Sequence, residues 1–570
     1  MAQRLSISPK THIALLIYLL SSSVLELLAY RHGGFFSISA ARLWVLSGIL
    51  CLGMFCFSFI SHLKNDLKER RYFLLAAYLF LLGLFCFFIG NLSFSDISYE
   101  AAQQVAAGLF SFSEPDLNYT GVAFLDYANR QYIINALPSL LFGRNTVSLH
   151  LGFAIPFLIG MSAWFLELRQ WLKEKALREE YALLPLYALP TFPFITEYFM
   201  NFEQALTPVS FTLMGLALLL RLYRKQDTFS VFGLSFIGGM CCNSYPPVLA
   251  FFGYLVFFVA FFCIKMLQKP VTSDSSGKVL LCIGLLIQLI SYFVATLSTP
   301  QKSMISTVNR ETPFFKAVYT SWFDFFSDMH VTFWGIWLGA VLLYLFFACL
   351  GQLKLTDFFT AGWMLLTVFF SNYMTGYTSY MKCHIIQRNM LIIPVFLTSL
   401  FFLFMGLSRF VSKDRLSKKT TQRIRKILFP LTLTFFWLLG AFHFSQPHRS
   451  FLYHGYVQPI KYLISYTEEV LEERDIANTE EFHLVFLTDN LLQSNLADYC
   501  TYFYPNAHAY VVGTKDFPEL PDDSLPLFLF SESPVPPAPQ LCISGEKTWH
   551  ALRYSKEITL YYMENTPSTP

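Results

Sequence analysis

The sequence predicts a polytopic α-helical membrane protein of about thirteen spans, followed by a small C-terminal α/β domain outside the cytoplasm. Two observations predict this class. Hydrophobic residues make up 54% of the 570 residues and charged residues only 14%, whereas soluble domains carry about 25% charged residues. Apolar stretches of about 18 residues, each long enough to cross roughly 30 Å of hydrocarbon, recur along the first four fifths of the chain.

The predicted spans follow one another up to residue 444. The first has serines and Glu26 in its second half and lacks a clear small-residue cleavage site, so an uncleaved span is favoured over a signal peptide. In chain order the spans are 13–30, 42–60, 73–90, 148–166, 182–198, 205–221, 229–245, 247–265, 279–299, 331–350, 357–374, 389–407 and 427–444.

The distribution of Lys and Arg orients these spans. With the N-terminus in the cytoplasm, the inner segments carry 25 Lys and Arg residues and the outer segments carry 9, as the positive-inside rule requires. The net charge of +3 is therefore sorted by topology and does not indicate a nucleic-acid partner. The inner segments are 1–12, 61–72, 167–181, 221–228, 265–278, 351–356 and 408–426; the outer ones are 31–42, 91–147, 199–204, 300–330 and 375–388.

The composition divides the chain into a transmembrane domain, residues 1–445, and an extracytoplasmic α/β domain, residues 446–570. The second part is charged and Pro-rich, and it contains one stretch with helical spacing, PIKYLISYTEEVLEERD. Cys500 and Cys542 lie in this outer part, and whether they form a disulfide stays open because two cysteines form no framework pattern. Four short strands are predicted, in EFHLVFLTDN, AYVVGT, LPLFLF and ITLYYM.

The outer loop 91–147 is the most informative segment for function. It is too long for a mere connection, and it carries five acidic residues but only two basic ones, Arg130 and Arg144. Carboxylates beside a bilayer, on a loop of this length, indicate a site. The acidic residues are Asp96, Glu100, Glu114, Asp116 and Asp126.

This loop resembles that of the GT-C fold glycosyltransferases, membrane enzymes that use polyprenyl-phosphate-linked sugars and include the protein mannosyltransferases and the lipid A aminoarabinose transferases. Asp96 follows closely after a span, Tyr99-Glu100-Ala101-Ala102 begins a helical pattern of small residues, and Leu140–Arg144 leads into the next span. Many members have adjacent Asp and Glu where this chain spaces them four apart. The resemblance implies an integral-membrane glycosyltransferase of the cell envelope, in the bacterial inner membrane.

Three carboxylates are the candidate catalytic residues. Glycosyl transfer from a lipid phosphate needs a base for the acceptor's proton, and Asp96 lies about six residues past a span, at the membrane surface. Glu100 shares a helix face with Asp96 at i+4, so a divalent cation could bridge them. Glu203 lies in the short turn before the next span, where GT-C enzymes often have an acidic residue. Plain solvation of each carboxylate is the alternative for all three.

Basic residues are candidates for binding the donor phosphate, which Arg binds bidentately. Arg130, Lys382 and Arg388 are the candidates, and Arg388 opens a predicted span near the membrane surface. Snorkelling to phospholipid headgroups is the alternative. No nucleotide-binding or metal-binding motif is present in the sequence, so no cofactor is predicted beyond that divalent cation.

The expected partners are a lipid-linked sugar donor, membrane lipids and an extracytoplasmic glycan, lipid or protein acceptor. A transporter or flippase of a lipid-linked or small solute is the alternative function. It predicts charged residues buried within spans and broken helices. A non-catalytic membrane scaffold is a third hypothesis. The sequence does not determine the sugar, the acceptor, the metal dependence or the oligomeric state.

Overall fold

A computed structural model describes the helical part of the chain and a sheet near its C-terminus. The described residues are 9–32, 34–88, 101–102, 105–106, 108–109, 129–174, 178–191, 193–200, 206–242, 246–268, 273–298, 418–445, 467–469, 471–473, 480–487, 496–512, 525–531, 548–554 and 559–564.

Most described residues lie in α-helices. The helices are α1 (Pro9–His32), α2 (Gly34–Lys68), α3 (Tyr72–Phe88), α4 (Asn129–Phe142), α5 (Thr146–Glu174), α6 (Leu183–Ala188), α7 (Pro193–Met200), α8 (Leu206–Lys225), α9 (Thr228–Cys242), α10 (Pro246–Leu267), α11 (Ser273–Ser298), α12 (Lys418–Phe444) and α13 (Leu496–Phe503). Two 3₁₀ turns, Glu179–Ala182 and Leu189–Thr191, flank α6.

Within the described part of the chain, four helices are long and apolar enough to cross a bilayer. They contain Lys10–Ala29, Ile38–Lys68, Thr146–Glu174 and Ser276–Ala295. Shorter apolar helices accompany them, and large apolar side chains are exposed on α1, α2 and α12. Helices satisfy their own backbone hydrogen bonds, so they can present such surfaces to lipid. The protein is a polytopic helical membrane protein.

The described helices can be compared with ten of the predicted spans. Nine of these spans coincide with single helices, most of which extend beyond the predicted ends. The stretch of the predicted span 182–198 is helical but is broken into α6, a 3₁₀ turn and α7. Three prolines, Pro185, Pro190 and Pro193, lie there, and each removes a backbone donor. The predicted spans 331–350, 357–374 and 389–407 lie outside the described residues, so the count of thirteen stays a prediction.

Helix α5 is central to the bundle. In its apolar window 72% of the residues are buried, against 28% for α1 and for α2. It packs along α8, and a Cβ added to Gly160 of α5 would lie 2.6 Å from the Ser210 carbonyl oxygen of α8. Small residues at such crossings let two membrane helices approach closely. This crossing is therefore closed to any larger side chain.

An ion-pair network ties helix ends together at one end of the bundle. Arg169 near the end of α5 forms a bidentate pair with Asp66 of α2, and its Nε donates to Glu179 (2.6 Å). Arg71 also binds Glu179. Although burial raises the pKa of Glu179, hydrogen bonds from Arg169 and Arg71 outweigh it and hold this pKa below its ordinary value.

The same end of the bundle carries a second set of pairs. Glu167 accepts hydrogen bonds from Arg221 (2.9 Å) and Arg224 (2.6 Å) of α8, and Arg221 also pairs with Asp227 (2.6 Å). Burial raises the pKa of Asp227, but the hydrogen bond and charge of Arg221 and the hydrogen bonds from Ser230 together outweigh it, so the net shift is downward. Together the two sets join the segments predicted to be cytoplasmic after α2, α5 and α8.

The strands form one five-stranded mixed sheet near the C-terminus. Its order is β2-β1-β3-β5-β4, with β1 parallel to β2 and β3, and β5 antiparallel to β3 and β4. The four predicted strands are present; the fifth, β4, was not predicted. Cys500 is buried in α13, and Cys542 lies outside the described residues. The strands are β1 (Phe482–Leu487), β2 (Ala507–Val512), β3 (Leu527–Ser531), β4 (Thr548–Tyr554) and β5 (Thr559–Glu564).

Candidate functional site at the outer helix ends

The end of the bundle opposite the ion pairs is built on an aromatic cluster. Phe85, one turn before the end of α3, lies with its ring centroid 5.1 Å from Phe199 of α7 and 5.3 Å from Phe444 of α12. Phe88, the last residue of α3, stacks on Phe444 at 4.8 Å. Such ring pairs add to the burial of apolar area. The C-terminal ends of α3, α7 and α12 are therefore fixed against one another.

The last turn of α7 is also held by a polar contact. The buried ring of His150, in the first turns of α5, donates from Nε2 to the carbonyl oxygen of Phe199. This satisfies a carbonyl that the helix end leaves without an intrahelical partner. Helix α7 ends at Met200 and α8 begins at Leu206, so both the end of α7 and the start of α8 lie close to this cluster. The intervening residues include Glu203.

Helix α4, which belongs to the acidic loop, packs into the same end. The Asn135 Nδ2 donates to Thr207 Oγ1 at the start of α8 (2.7 Å). A Cβ added to Gly152 of α5 would lie only 2.1 Å from the Asn135 carbonyl oxygen. The backbones of α4 and α5 thus approach closely, and this contact needs glycine. The contact of α4 with α8 at Thr207 lies four residues after Glu203 in the sequence.

The beginning of the acidic loop is also anchored. The described residues between 101 and 109 are helical, as predicted for the pattern that starts at Tyr99. Ala101, Ala102 and Val105 are fully buried and Leu109 nearly so; positions i, i+1, i+4 and i+8 share one helix face. Burial of this face in the core fixes the helix directly after Glu100.

Two buried polar atoms near these contacts have no hydrogen-bond partner within the described part of the chain. They are Asn135 Oδ1 and Ser148 Oγ. A buried polar atom without a partner is costly. This end of the bundle is therefore polar as well as aromatic, which suits a site for a polar group.

The C-terminal part contacts the acidic loop on this same side. Ser139 Oγ of α4 donates to the Tyr502 hydroxyl of α13 (2.7 Å), and that hydroxyl donates to the Asn145 carbonyl oxygen (3.1 Å). Arg144 donates to the Tyr502 carbonyl oxygen (3.3 Å). Burial raises the pKa of Tyr502 to about 12, so the phenol stays neutral. The sheet therefore lies at the end of the bundle where the acidic loop lies.

Most of the predicted site residues cannot be placed. Asp96, Glu100, Glu203, Lys382 and Arg388 lie outside the described residues. Their convergence on one pocket stays a prediction.

The backbone of Arg130 lies in α4, whereas its side chain is outside the described part. In the described ranges, no group of three or more His, Cys, Asp or Glu side chains is arranged to hold a metal ion.

The sequence did not single out the residues that frame this end. Asn135, His150 and Gly152 were part of apolar runs, and Phe199 was one of 62 phenylalanines. A signal was present for His150 and Asn135, because polar side chains close to span ends are expected to have specific partners. No feature of the neighbouring sequence distinguishes Gly152, because its role depends on the close contact between α4 and α5.

Comparison with known proteins adds one structural similarity. No family model matches the chain, and no curated protein matches it. Among solved structures, it is similar to the crystal structure of ArnT from Cupriavidus metallidurans bound to undecaprenyl phosphate, with a TM-score of 0.48 and 11% sequence identity, over 87% of this chain and 98% of ArnT.

Proposed function

We propose that the protein is an integral-membrane glycosyltransferase that moves a sugar from a polyprenyl-phosphate-linked donor to an extracytoplasmic acceptor. One observation supports the proposal: the helices that precede the two acid-bearing segments, α3 and α7, end at the same aromatic and polar cluster. Phe85 of α3 and Phe199 of α7 touch there, and α4 of the acidic loop packs beside them.

Chain length makes convergence of the carboxylates feasible. Asp96 follows Phe88 by eight residues, and Glu203 follows Phe199 by four. An extended chain spans at most about 3.3–3.6 Å per residue, so both residues can reach one volume above the cluster. Glu100 immediately precedes the buried face that begins at Ala101. The three carboxylates therefore belong to segments anchored on one rim of the bundle.

The proposed chemistry assigns a role to each group. Asp96 takes the proton of the acceptor hydroxyl as it attacks the sugar carbon, and the lipid phosphate leaves. Glu100 and Glu203 orient the acceptor, which lowers the entropic part of the barrier. Two or more of the basic residues Arg130, Lys382 and Arg388 stabilise the charge of the phosphate. A divalent cation between Asp96 and Glu100 is a second way to hold that phosphate, and a chelator tests it.

In the proposed enzyme, residues 446–570 form an extracytoplasmic domain that covers the acidic loop and shapes the cleft for the acceptor. The contacts of Tyr502 with Ser139 and Asn145 support it, because they hold α13 against the connection between α4 and α5. With thirteen spans and a cytoplasmic N-terminus, this side is the outer face of a bacterial inner membrane.

A test of the proposal compares two carboxylates in the same loop. Asp96→Asn keeps the shape of the side chain but removes the base, and we expect turnover with polyprenyl-phosphate sugars to fall about 10²–10⁴-fold. Asp116→Asn, a change at an acid without an assigned role, should leave turnover within a factor of two or so of the wild type. Equal activity of Asp96→Asn and the wild type would exclude Asp96 as the base.

A transporter or flippase is the second candidate, because two observations favour it. Glu26 is buried within α1, and the stretch between Glu179 and Met200 is broken into short helices. Transporters typically contain both features. Movement of a fluorescent polyprenyl-phosphate sugar across proteoliposomes, without transfer to an acceptor, would favour this function over the enzyme.

A further inference from the structure

Two cysteines lie side by side where α10 and α11 pack together. Cys263 lies one turn before the end of α10, and Cys282 lies in α11. Both are free thiols, and they hydrogen-bond each other. They are 4% and 2% exposed, respectively. A pair of thiols on two helices differs chemically from a single buried cysteine, because it can lose two hydrogens and form a covalent bond between the helices.

The pair lies near the end of the bundle that carries the ion pairs. Lys265, two residues after Cys263, has its Nζ 5.6 Å from the ring centroid of Tyr223 in the last turn of α8, the helix whose arginines form the second set of ion pairs. Lys278 lies four residues, or about 6 Å of helix rise, before Cys282. Because lysines close to span ends extend to the membrane boundary, the thiols lie inside the bilayer but close to its surface.

The helix surface around the pair faces the lipid. Large apolar side chains next to each cysteine in the sequence are exposed, as expected for residues in contact with hydrocarbon. They are Phe261 and Ile264 of α10 and Leu280 and Ile283 of α11. A reagent dissolved in the bilayer reaches this surface, whereas the hydrocarbon excludes a charged, water-soluble one.

We propose that Cys263 and Cys282 are a redox-active pair that a membrane-dissolved quinone oxidises to a disulfide. Both S–H bonds break, one S–S bond forms, and the quinone takes up the two electrons and the two protons to become a hydroquinone. A quinone suits this location because it is apolar and uncharged. Since it accepts protons together with electrons, the completed step leaves no charge in the hydrocarbon, where an unpaired charge is costly.

The packing of the helices favours closure of the disulfide. The hydrogen bond already holds the two thiols together, so the reaction is intramolecular. Forming an S–S bond of about 2.05 Å requires a further local approach of the two side chains. Helix α11 also packs closely on α1, since a Cβ added to Gly284 would lie 2.8 Å from Leu16 Cδ1. The disulfide would therefore tie α10 covalently to the packed pair of α1 and α11. It uses no residue of the outer cluster and does not depend on the glycosyltransferase proposal.

The first experiment measures disulfide formation in the reduced wild-type protein in liposomes. One sample receives a short-chain benzoquinone with a fully substituted ring, which oxidises thiols without adding to them. The other receives oxidised glutathione, a charged and water-soluble disulfide. The protein is then unfolded and alkylated, and peptide mass spectrometry reports the thiols that remain.

We expect the quinone to link Cys263 to Cys282, with one hydroquinone formed for each disulfide. Oxidised glutathione should react at least about tenfold more slowly, because buried thiols are inert towards reagents in water. The exposed Cys56 of α2 is the internal control and should stay open to alkylation. Persistence of both thiols after quinone treatment, or equally fast oxidation by glutathione disulfide, would overturn the proposal.

The second experiment identifies the reducing group through single serine substitutions, which keep the size and the hydrogen bonding of the side chain. Cys263→Ser and Cys282→Ser should each abolish hydroquinone formation and leave the remaining thiol open to alkylation. The matched control Cys86→Ser replaces an exposed cysteine of α3 and should form hydroquinone at the wild-type rate. Hydroquinone formation by Cys282→Ser at that same rate would make the pair a structural contact only. Because the first experiment needs only the wild type, it decides the proposal even when a variant does not fold.

Discussion

Gly152→Ala tests whether the contact between α4 and α5 positions the acidic loop. An ideal Cβ at Gly152 lies 2.1 Å from the Asn135 carbonyl oxygen and 3.1 Å from its carbon. Ordinary contact begins at 3.4 Å, so the helices must separate by about 1.3 Å. Because the obstacle is backbone, no side-chain rotation relieves the clash.

The size of the effect follows from that displacement. Overpacking of this kind costs about 1–3 kcal/mol of folding free energy. A shift of about 1 Å in a positioning element lowers turnover about 10²-fold. We therefore expect a protein that still folds, has a moderately lower Tm and has lost about 99% of its transferase activity.

The assay follows transfer from polyprenyl-phosphate sugars by the purified protein, alongside its Tm. Gly83→Ala is the matched control, since a Cβ at Gly83 of α3 meets nothing within 4 Å. That control should keep full turnover and gain up to about 1 kcal/mol from helix propensity. Full turnover of Gly152→Ala at a lowered Tm would refute the reasoning, because the helices would then have separated without disturbing the site.

Three further predictions concern the described contacts. Tyr502→Phe removes the hydroxyl that accepts a hydrogen bond from Ser139 and should weaken the docking of α13 by about 1–2 kcal/mol. The backbone amides of α13 should then exchange hydrogen faster. Unchanged amide exchange in α13 would contradict this prediction. Asp66→Asn leaves Arg169 with one partner fewer in a buried site and should lower the free energy of unfolding by about 3 kcal/mol. The Tm should fall, and added salt should not restore it. A destabilisation below about 0.5 kcal/mol would mean that the pair is solvated. The pKa of Asp227 is lowered on folding, so its stabilisation is present above its unfolded pKa of about 3.9 and disappears as pH falls through the folded value. The Tm difference between wild type and Asp227→Asn should therefore shrink below about pH 4, and a constant difference would refute it.

The sequence predicts the carboxylates Asp96, Glu100 and Glu203 as site residues because charges next to apolar runs stand out, and their place in a site stays a prediction. The described residues of the aromatic and polar cluster could not be predicted in this way. His150 and Asn135 act through partners on other helices, the Phe199 carbonyl and Thr207. Such pairings depend on how the helices cross, and the local spacing of residues does not encode the geometry of these crossings.

What the sequence determined by itself was the membrane class and the location of nine helices, because hydrocarbon forces each apolar run of sufficient length into a helix. It also located four strands of the sheet, since alternation and turn residues are local signals. Tertiary structure decided which helices contact one another. It also joined Arg169 to Asp66, about a hundred residues apart in sequence, and Tyr502 to Ser139. These contacts form between distant segments, so only packing of the whole chain selects them.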